Sequence, residues 1–182
     1  MEPALIKLRP PRGIDELWVL DHFGRYGAKT ALARAFTDAK YPCYHPAVGS
    51  RLASHMAESV RACTPSRAVL RHVDKVVAVP SSKGLSRQLA VALSRSLGLQ
   101  PPHRSDLAWN RPVASVKYIP VIERRRHVKD AMSAAPIAVG TVLIVDDALQ
   151  SLATLSEAAR AVRQAGAKRI VAIALVAVDG HG

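Results

Sequence analysis

The sequence has few aromatic residues and few cysteines. Aromatic residues make up 4% of the 182 residues, although 49% of the chain is hydrophobic. This composition is more typical of an Ala/Val/Leu-rich α/β protein than of an all-β protein. The two cysteines, Cys43 and Cys63, form no CxxC motif and no Cys/His cluster with zinc-ligand spacing. We therefore expect two reduced thiols and no structural metal.

The sequence also lacks a long hydrophobic run. The longest, residues 170–178, is far shorter than the ~20 residues that a transmembrane helix needs. The N-terminal stretch MEPALIKLRPPRG is interrupted by prolines and has no apolar core of the signal-peptide kind. We expect a cytoplasmic protein without a membrane partner.

Positive charge, by contrast, is abundant. The formal net charge is +12 and the pI is about 10.4, with the basic residues dispersed along the chain. Such a balance favours polyanionic partners, such as phosphorylated small molecules or nucleic acid. A generally solvated basic surface is an equally good explanation of the charge alone.

The first 63 residues have little strand-like pattern. Residues 1–12 are expected to form an extended or loosely attached arm, followed by a single domain over residues 13–182. Residues 14–63 are interpreted as mostly helical. Within them, GAKTALARAFTDAKY places Ala28, Leu32 and Phe36 at helical spacing, and GSRLASHMAESVRAC does the same with Leu52 and Met56.

From residue 74 onward, the chain alternates strands and helices. DKVVAVPSSKGLSRQLAVALSRSLGL and GTVLIVDDALQSLATLSEAARAVRQAG each predict a buried strand, a loop and a helix, and KRIVAIALVAV predicts a last strand. This alternation indicates an α/β fold with a parallel sheet flanked by helices on both faces. A long basic insertion at about residues 101–138 separates the two units, and insertions of this kind are usually functional lids or linkers.

Two adjacent carboxylates follow the apolar residues of the second unit. Ligands of parallel sheets bind beyond the carboxyl ends of the strands, which places Asp146 and Asp147 at a candidate site. The helix after them is predicted to begin near residue 153 or 154, and its free N–H groups would attract a phosphate. Ser151 and Thr154 could add hydroxyl donors. The carboxylates suit sugar hydroxyls or a divalent cation, so the pattern predicts a ribose 5-phosphate; simple capping of the helix by the aspartates is the alternative.

The same stretch resembles the signature of type I phosphoribosyltransferases. That signature has four aliphatic residues, an acidic residue, an aspartate, two further residues and a Ser/Thr–Gly–any–Thr loop. The matching residues are Val142, Leu143, Ile144, Val145, Asp146, Asp147, Ser151 and Thr154. FTDAKYP, the stretch around VPSSKG, and ERRRHVKDAM resemble the ComF-like, competence-associated branch of the family, and the resemblance extends over residues 28–178.

The resemblance implies a parallel sheet with a hood over the site, and transfer of a phosphoribosyl group from phosphoribosyl pyrophosphate with Mg²⁺ to a nucleobase-like or amine acceptor. In that case Asp146 and Asp147 would hold the ribose hydroxyls and the metal. The residues implied to grip the 5-phosphate are Ala148, Leu149, Gln150, Ser151, Leu152, Ala153 and Thr154. Ser81, Ser82 and Lys83 would grip pyrophosphate, and Lys83 with the hood residues Arg124 and Arg126 would neutralise it as it leaves. Members of such families commonly pair, so a homodimer is compatible with the resemblance.

The loop departs from the family pattern at two residues. Leu152 replaces the glycine, and Gln150 replaces a threonine or serine. A leucine there costs about 1 kcal/mol if the backbone must be left-handed.

Two functions therefore stay open. The acidic pair and the VPSSKG loop favour an active transferase. Leu152 favours a non-catalytic protein that binds a phosphoribosyl compound, or nucleic acid through a basic surface such as ERRRHVKD.

Overall fold

A computed structural model describes residues 5–24, 30–41, 43, 45–63, 68–113, 119–138 and 140–179 of the chain. The strands in these residues are β1 (Ile6–Leu8), β2 (Glu16–Gly24), β3 (Lys75–Ala78), β4 (Leu107–Trp109), β5 (Met132–Ala134), β6 (Thr141–Leu149) and β7 (Arg169–Asp179). The helices of eight or more residues are α1 (Ala31–Lys40), α2 (Pro46–Ala62), α3 (Leu85–Ser96), α4 (Val121–Val128) and α5 (Ala153–Gln164).

The main sheet is mostly parallel. Its strand order is β1-β2-β7-β6-β3, and only the edge pair β1–β2 is antiparallel. Strands β4 and β5 form a separate antiparallel pair. The predicted α/β class, with a sheet flanked by helices, is confirmed at this level.

The sheet is covered on both faces, which explains the continuous apolar sequences of its inner strands. Along β7, Ile170 and Ala172 pack on the side of α5, whereas Val171 and Ile173 pack on the side of α1, α2 and α3. Burying both sides of a strand removes much apolar surface from water, at about 25 cal/mol per Å². Strand β7 therefore lies at the centre of the hydrophobic core.

The prediction that residues 14–63 are mostly helical is wrong for its first part. Residues of β2 pair in parallel with β7, and Leu17, Trp18 and Val19 are all buried. A short run of consecutive apolar residues has no period that separates a doubly covered strand from a buried helix, which is why the pattern misled. The two predicted helices are confirmed as α1 and α2; Ala28 lies outside the described residues.

The described part of the N-terminal arm is extended and joined to the sheet. Its strand β1 pairs with β2, with Ile6 opposite Val19. Of the two expectations for the arm, extended or loosely attached, its described residues agree with the first, and they give the sheet an antiparallel edge.

The insertion at residues 101–138 contributes β4, α4 and β5, and it is fixed to α5 by a buried carboxylate. The Glu157 carboxylate accepts hydrogen bonds from the Met132 backbone N–H (2.9 Å) and from Arg160 (2.6 Å). Burial raises the pKa of Glu157, but these hydrogen bonds and the Arg160 charge outweigh it and bring the pKa below its usual value. Tyr118 of the insertion lies outside the described residues. None of the described helices combines the length and the apolar character needed to cross a bilayer.

Candidate active site

An open cleft of about 560 Å³ lies at the carboxyl end of the parallel sheet. It brings together segments that are distant in sequence: the end of α1, the loops after β3 and β6, and the insertion. The predicted site residues that line it are Ser81, Ser82, Lys83, Arg124, Asp146, Asp147, Ala148, Leu149, Gln150, Ser151, Leu152 and Thr154.

Two predicted site residues do not line the cleft. Ala153 is 1% exposed, as the first residue of α5. Arg126 is exposed on α4. Arg124, two residues earlier on the same helix, is the predicted arginine that lines the cleft.

The strand that carries the aspartates is longer than expected. Pairing with β7 continues as far as Leu149 opposite Ala177, so Asp146 and Asp147 lie within β6 and the connecting loop is only residues 150–152. The reason is the length of β7, whose eleven residues give β6 a partner beyond its aliphatic stretch. Ala148 and Leu149 therefore line the cleft as strand residues.

Asp146 is buried, and its carboxylate is held by α3. Its Oδ1 accepts hydrogen bonds from the Ser86 hydroxyl (3.4 Å) and from the Asp147 backbone N–H (2.8 Å). Burial, and secondly the neighbouring Asp147 carboxylate, raise the pKa of Asp146 to about 7, against the smaller opposing effects of these hydrogen bonds and of Lys40. This carboxyl group can therefore hold or release a proton near neutral pH.

Asp147 is also buried, with 4% of its surface exposed. Its Oδ1 forms an ion pair with the Lys40 ammonium at 2.8 Å. Its Oδ2 is buried and has no hydrogen-bond partner among the described residues. Buried carboxylate oxygens are nearly always partnered because desolvation without a hydrogen bond is costly, so this atom is the strongest local indication that the cleft receives a ligand.

Lys40 is the main site residue that the sequence did not indicate. It is the last residue of α1, its ammonium lies 5.1 Å from the centre of the Phe36 ring, and both residues line the cleft. A lysine in the last turn of a helix is ordinarily a solvated charge near the negative end of the dipole. The only signal was the FTDAKYP stretch, which carried a family resemblance but no role for this lysine.

Lys83 lies against the same end of α1. Its ammonium donates to the Lys40 carbonyl and is 4.5 Å from the centre of the Tyr41 ring. The helix C-terminus and the ring face are both negative, so they hold the cation. Lys83 and Lys40 thus place two positive charges on the side of the cleft formed by the end of α1, and Lys40 contacts Asp147 directly.

Arg124 connects the insertion to the loop after β6. Its Nε donates to the Ile119 carbonyl (2.8 Å) and its Nη1 donates to Gln150 Oε1 (3.1 Å), and only 4% of its surface is exposed. Gln150, one of the two departures from the family pattern, is therefore used to hold an arginine over the site.

Leu152, the second departure, has the backbone conformation that glycine favours. Its φ of 56° and ψ of 0° are left-handed, and α5 begins at the next residue. This conformation costs a leucine about 1 kcal/mol relative to glycine. The side chain packs partly on the core beneath α5 and also lines the cleft.

Trp109 forms part of the cleft from the insertion side. Its indole N–H donates to the Pro80 carbonyl at 3.3 Å, and the residue is half-buried. The ring therefore joins the insertion to the loop after β3.

No protein-family model matches the chain, and comparison with curated proteins gives no significant match. The cleft itself offers two buried carboxylates, a short turn before a helix N-terminus, and three cations.

A divalent cation was the other group expected here. No group of three or more His, Cys, Asp or Glu side chains suited to a metal occurs within the described ranges. Mg²⁺, however, usually takes only one or two carboxylates and completes its shell with substrate phosphate oxygens and water. The unpartnered Asp147 Oδ2 fits that arrangement, although the Lys40 ammonium already occupies the other oxygen.

Proposed function

We propose that the cleft binds phosphoribosyl pyrophosphate and transfers its phosphoribosyl group to a nucleobase-like or amine acceptor. The observation that carries this proposal is the buried pair Asp146 and Asp147, with one unpartnered oxygen, near the end of β6 and two residues before a three-residue turn and the N-terminus of α5. Acceptors for sugar hydroxyls and donors for a phosphate therefore lie side by side.

The ribose end of the substrate would bind the carboxylates. Two neighbouring sugar hydroxyls donate hydrogen bonds to Asp146 and Asp147, and Asp147 Oδ2 gains the donor that it lacks. Hydrogen bonds to a charged acceptor contribute about 1.5–3 kcal/mol each. Mg²⁺ carried with the substrate would be held by these two carboxylates and would neutralise charge on the pyrophosphate.

The 5-phosphate would bind the turn at residues 150–152. The first N–H groups of α5 have no partners within the helix, and the helix dipole favours an anion there. Ser151 and Thr154 line the cleft at this point and supply hydroxyl donors.

The pyrophosphate would bind the loop after β3. Lys83, Ser81 and Ser82 line the cleft there. In the transfer, the bond from the ribose C1 to the pyrophosphate oxygen breaks, a bond from the acceptor nitrogen to C1 forms, and the acceptor loses a proton. Positive charge develops at C1, so fixed carboxylates beside the ribose and cations beside the leaving group lower the barrier.

Pyrophosphate release from phosphoribosyl pyrophosphate and Mg²⁺, assayed with a panel of nucleobases and amines, tests the activity. Binding is tested separately by the thermal shift that the same substrate produces. In Asp147→Asn we expect the apparent affinity to fall at least about tenfold, since a charged acceptor is lost. Asp38→Asn removes an equal charge from an exposed residue of α1 outside the cleft and should bind as the parent does. Equal behaviour of the two variants would refute the role of the acidic pair.

A non-catalytic binding function is the second candidate, and Leu152 favours it. The strained leucine lines the cleft where the phosphate would approach the backbone. A substrate-induced thermal shift that depends on Asp147, without pyrophosphate release for any acceptor, would select this function over transfer.

A further inference from the structure

A second groove, of about 490 Å³, lies between α2 and α3. Lys83 lines both this groove and the cleft, so the two cavities adjoin at that residue. Four cations line the groove: Lys83, Arg87, Arg95 and Arg104. Its described lining residues include no carboxylate.

The arginines of the groove are exposed and have no counterion within the described part of the chain. Arg87 and Arg95 lie eight residues apart on α3, on one face of the helix and about 12 Å apart along its axis. Arg104 approaches from the segment after α3. Among the described residues, no ion pair or hydrogen bond involves these three side chains, whereas Arg160, Arg163 and Arg169 elsewhere are all paired. A groove with unpaired charge of one sign favours binding of an anion with several charged groups.

Gln88 adds a requirement of a different kind. It lies between the arginines on α3 and lines the groove, and its Oε1 is buried without a donor within the described part of the chain. A fully ionised phosphate has only acceptors and cannot satisfy this oxygen. A ligand that satisfies the whole groove therefore carries a hydroxyl or amino donor as well as anionic groups.

The size and composition of the groove favour a small ligand over a nucleic acid strand. Its volume lies within the ~300–1,000 Å³ typical of small-molecule sites. Its lining includes Val91 and Ala92 but no aromatic side chain among the described residues. Proteins that bind single-stranded nucleic acid usually stack the bases on aromatic rings, and this groove offers none.

We propose that the groove between α2 and α3 is a second binding site, separate from the cleft, for a small phosphorylated molecule with at least two phosphoryl groups and a hydroxyl or amino donor, such as a nucleoside diphosphate. Arg87, Arg95 and Arg104 bind the phosphoryl oxygens, and Gln88 accepts from the donor. This proposal does not depend on phosphoribosyl transfer.

The test is calorimetric titration of the full chain with ADP at low ionic strength. The variant Arg87→Ala/Arg95→Ala removes two groove cations, and we expect ADP affinity to fall at least about tenfold because charge-assisted hydrogen bonds are lost. The variant Arg12→Ala/Arg71→Ala removes two exposed cations outside both cavities and should change the affinity less than about twofold, as the overall field is screened. Lys83 is left intact because it lines both cavities. Melting curves followed by circular dichroism show whether each surface variant is folded.

Two further variants test whether ADP binds in the groove or in the cleft, and whether Gln88 contacts a donor group of the ligand. Ser151→Ala/Thr154→Ala alters the cleft alone and should leave ADP affinity unchanged. Gln88→Met should weaken ADP binding and leave inorganic pyrophosphate binding unchanged.

Four results would each overturn the proposal. They are an absence of ADP binding, an equal loss of affinity in both arginine variants, a loss in the Ser151/Thr154 variant instead of the groove variant, and tighter arginine-dependent binding of a short oligothymidylate than of ADP. The last result would make the groove a nucleic-acid site.

Discussion

Two strand–loop–helix units meet at the cleft, and their turns have the same backbone shape with different residues. Gly84 precedes α3 with φ 72° and ψ 5°, and Leu152 precedes α5 with φ 56° and ψ 0°. Glycine adopts this conformation freely, whereas leucine does not. The passage from a parallel strand into its covering helix therefore sets the backbone conformation, and the residue type sets only its energetic cost.

The two units also differ in charge, and polar side chains from α1 and α3 contact the acidic one. The β6 unit supplies two buried carboxylates, and the β3 unit supplies Lys83. Ser86 on α3 donates to Asp146, while Lys40 at the end of α1 pairs with Asp147. The acidic unit is thus held by side chains of the opposite layer. Substitutions at the buried carboxylates or at their partners should therefore change the free energy of unfolding more than substitutions at the turn of the β3 unit.

The largest expected effect comes from Asp146. Its pKa is about 7 in the folded protein and 3.8 ordinarily, so between these values the folded state binds more protons than the unfolded state. Stability should therefore fall as the pH rises through this window. Asp146→Asn, which can still accept from Ser86, should raise the free energy of unfolding by on the order of 4 kcal/mol at about pH 8 and by much less at about pH 5.

Chemical denaturation at both pH values measures this difference. Asp38→Asn, at an exposed position, is the control and should change little at either pH. A stabilisation by Asp146→Asn that is the same at both pH values would show that the buried carboxyl is not the source. The expected gain in stability with loss of substrate binding is typical of a site that is strained for its function.

The second effect concerns the cation that holds the acidic unit. Lys40→Met leaves Asp147 buried without its partner and should lower the free energy of unfolding by about 3 kcal/mol. Lys40→Met/Asp147→Asn should recover most of that loss, since the unpaired charge is then absent. Urea denaturation of the parent, the two single variants and the double variant gives the coupling energy.

Lys75→Met is the matched control, because it breaks the more exposed Lys75–Asp106 pair. The two side chains of that pair are 29% and 15% exposed, and the loss should be about 1 kcal/mol or less. Equal losses for the two lysine variants would mean that Asp147 is not held as a buried charge.

The units themselves could be predicted from the sequence, because their signals are local. An aliphatic run followed by a helical repeat of leucines or alanines indicates β3–α3 and β6–α5, and the start of α5 at Ala153 agrees with prediction. The loop residues of the candidate cleft follow directly, since parallel strands bring their carboxyl ends to one edge.

The other features of the fold and of the cleft depend on contacts between residues far apart in sequence, which the local pattern does not show. The Lys40–Asp147 pair joins residues 107 positions apart, and Arg124 finds Gln150 across 26 positions. The local sequence of β2 does not distinguish a strand from a buried helix; its parallel pairing with β7 does. The left-handed conformation at Leu152 was expected only on condition that the family turn was kept, and residue type alone argued against it.

The smallest effect tests the comparison of the two turns directly. Gly84→Ala should cost about 1 kcal/mol, and the cost should be backbone strain alone because an added Cβ meets nothing within 4 Å. At the other turn, Leu152→Ala keeps the strain, whereas Leu152→Gly removes it, and both lose the same packing beyond Cβ. We therefore expect Leu152→Gly to be more stable than Leu152→Ala by about 1 kcal/mol in urea denaturation. Should the alanine variant prove as stable as the glycine variant, the turn before α5 does not require a left-handed residue, and the likeness of the two units ends at their strands.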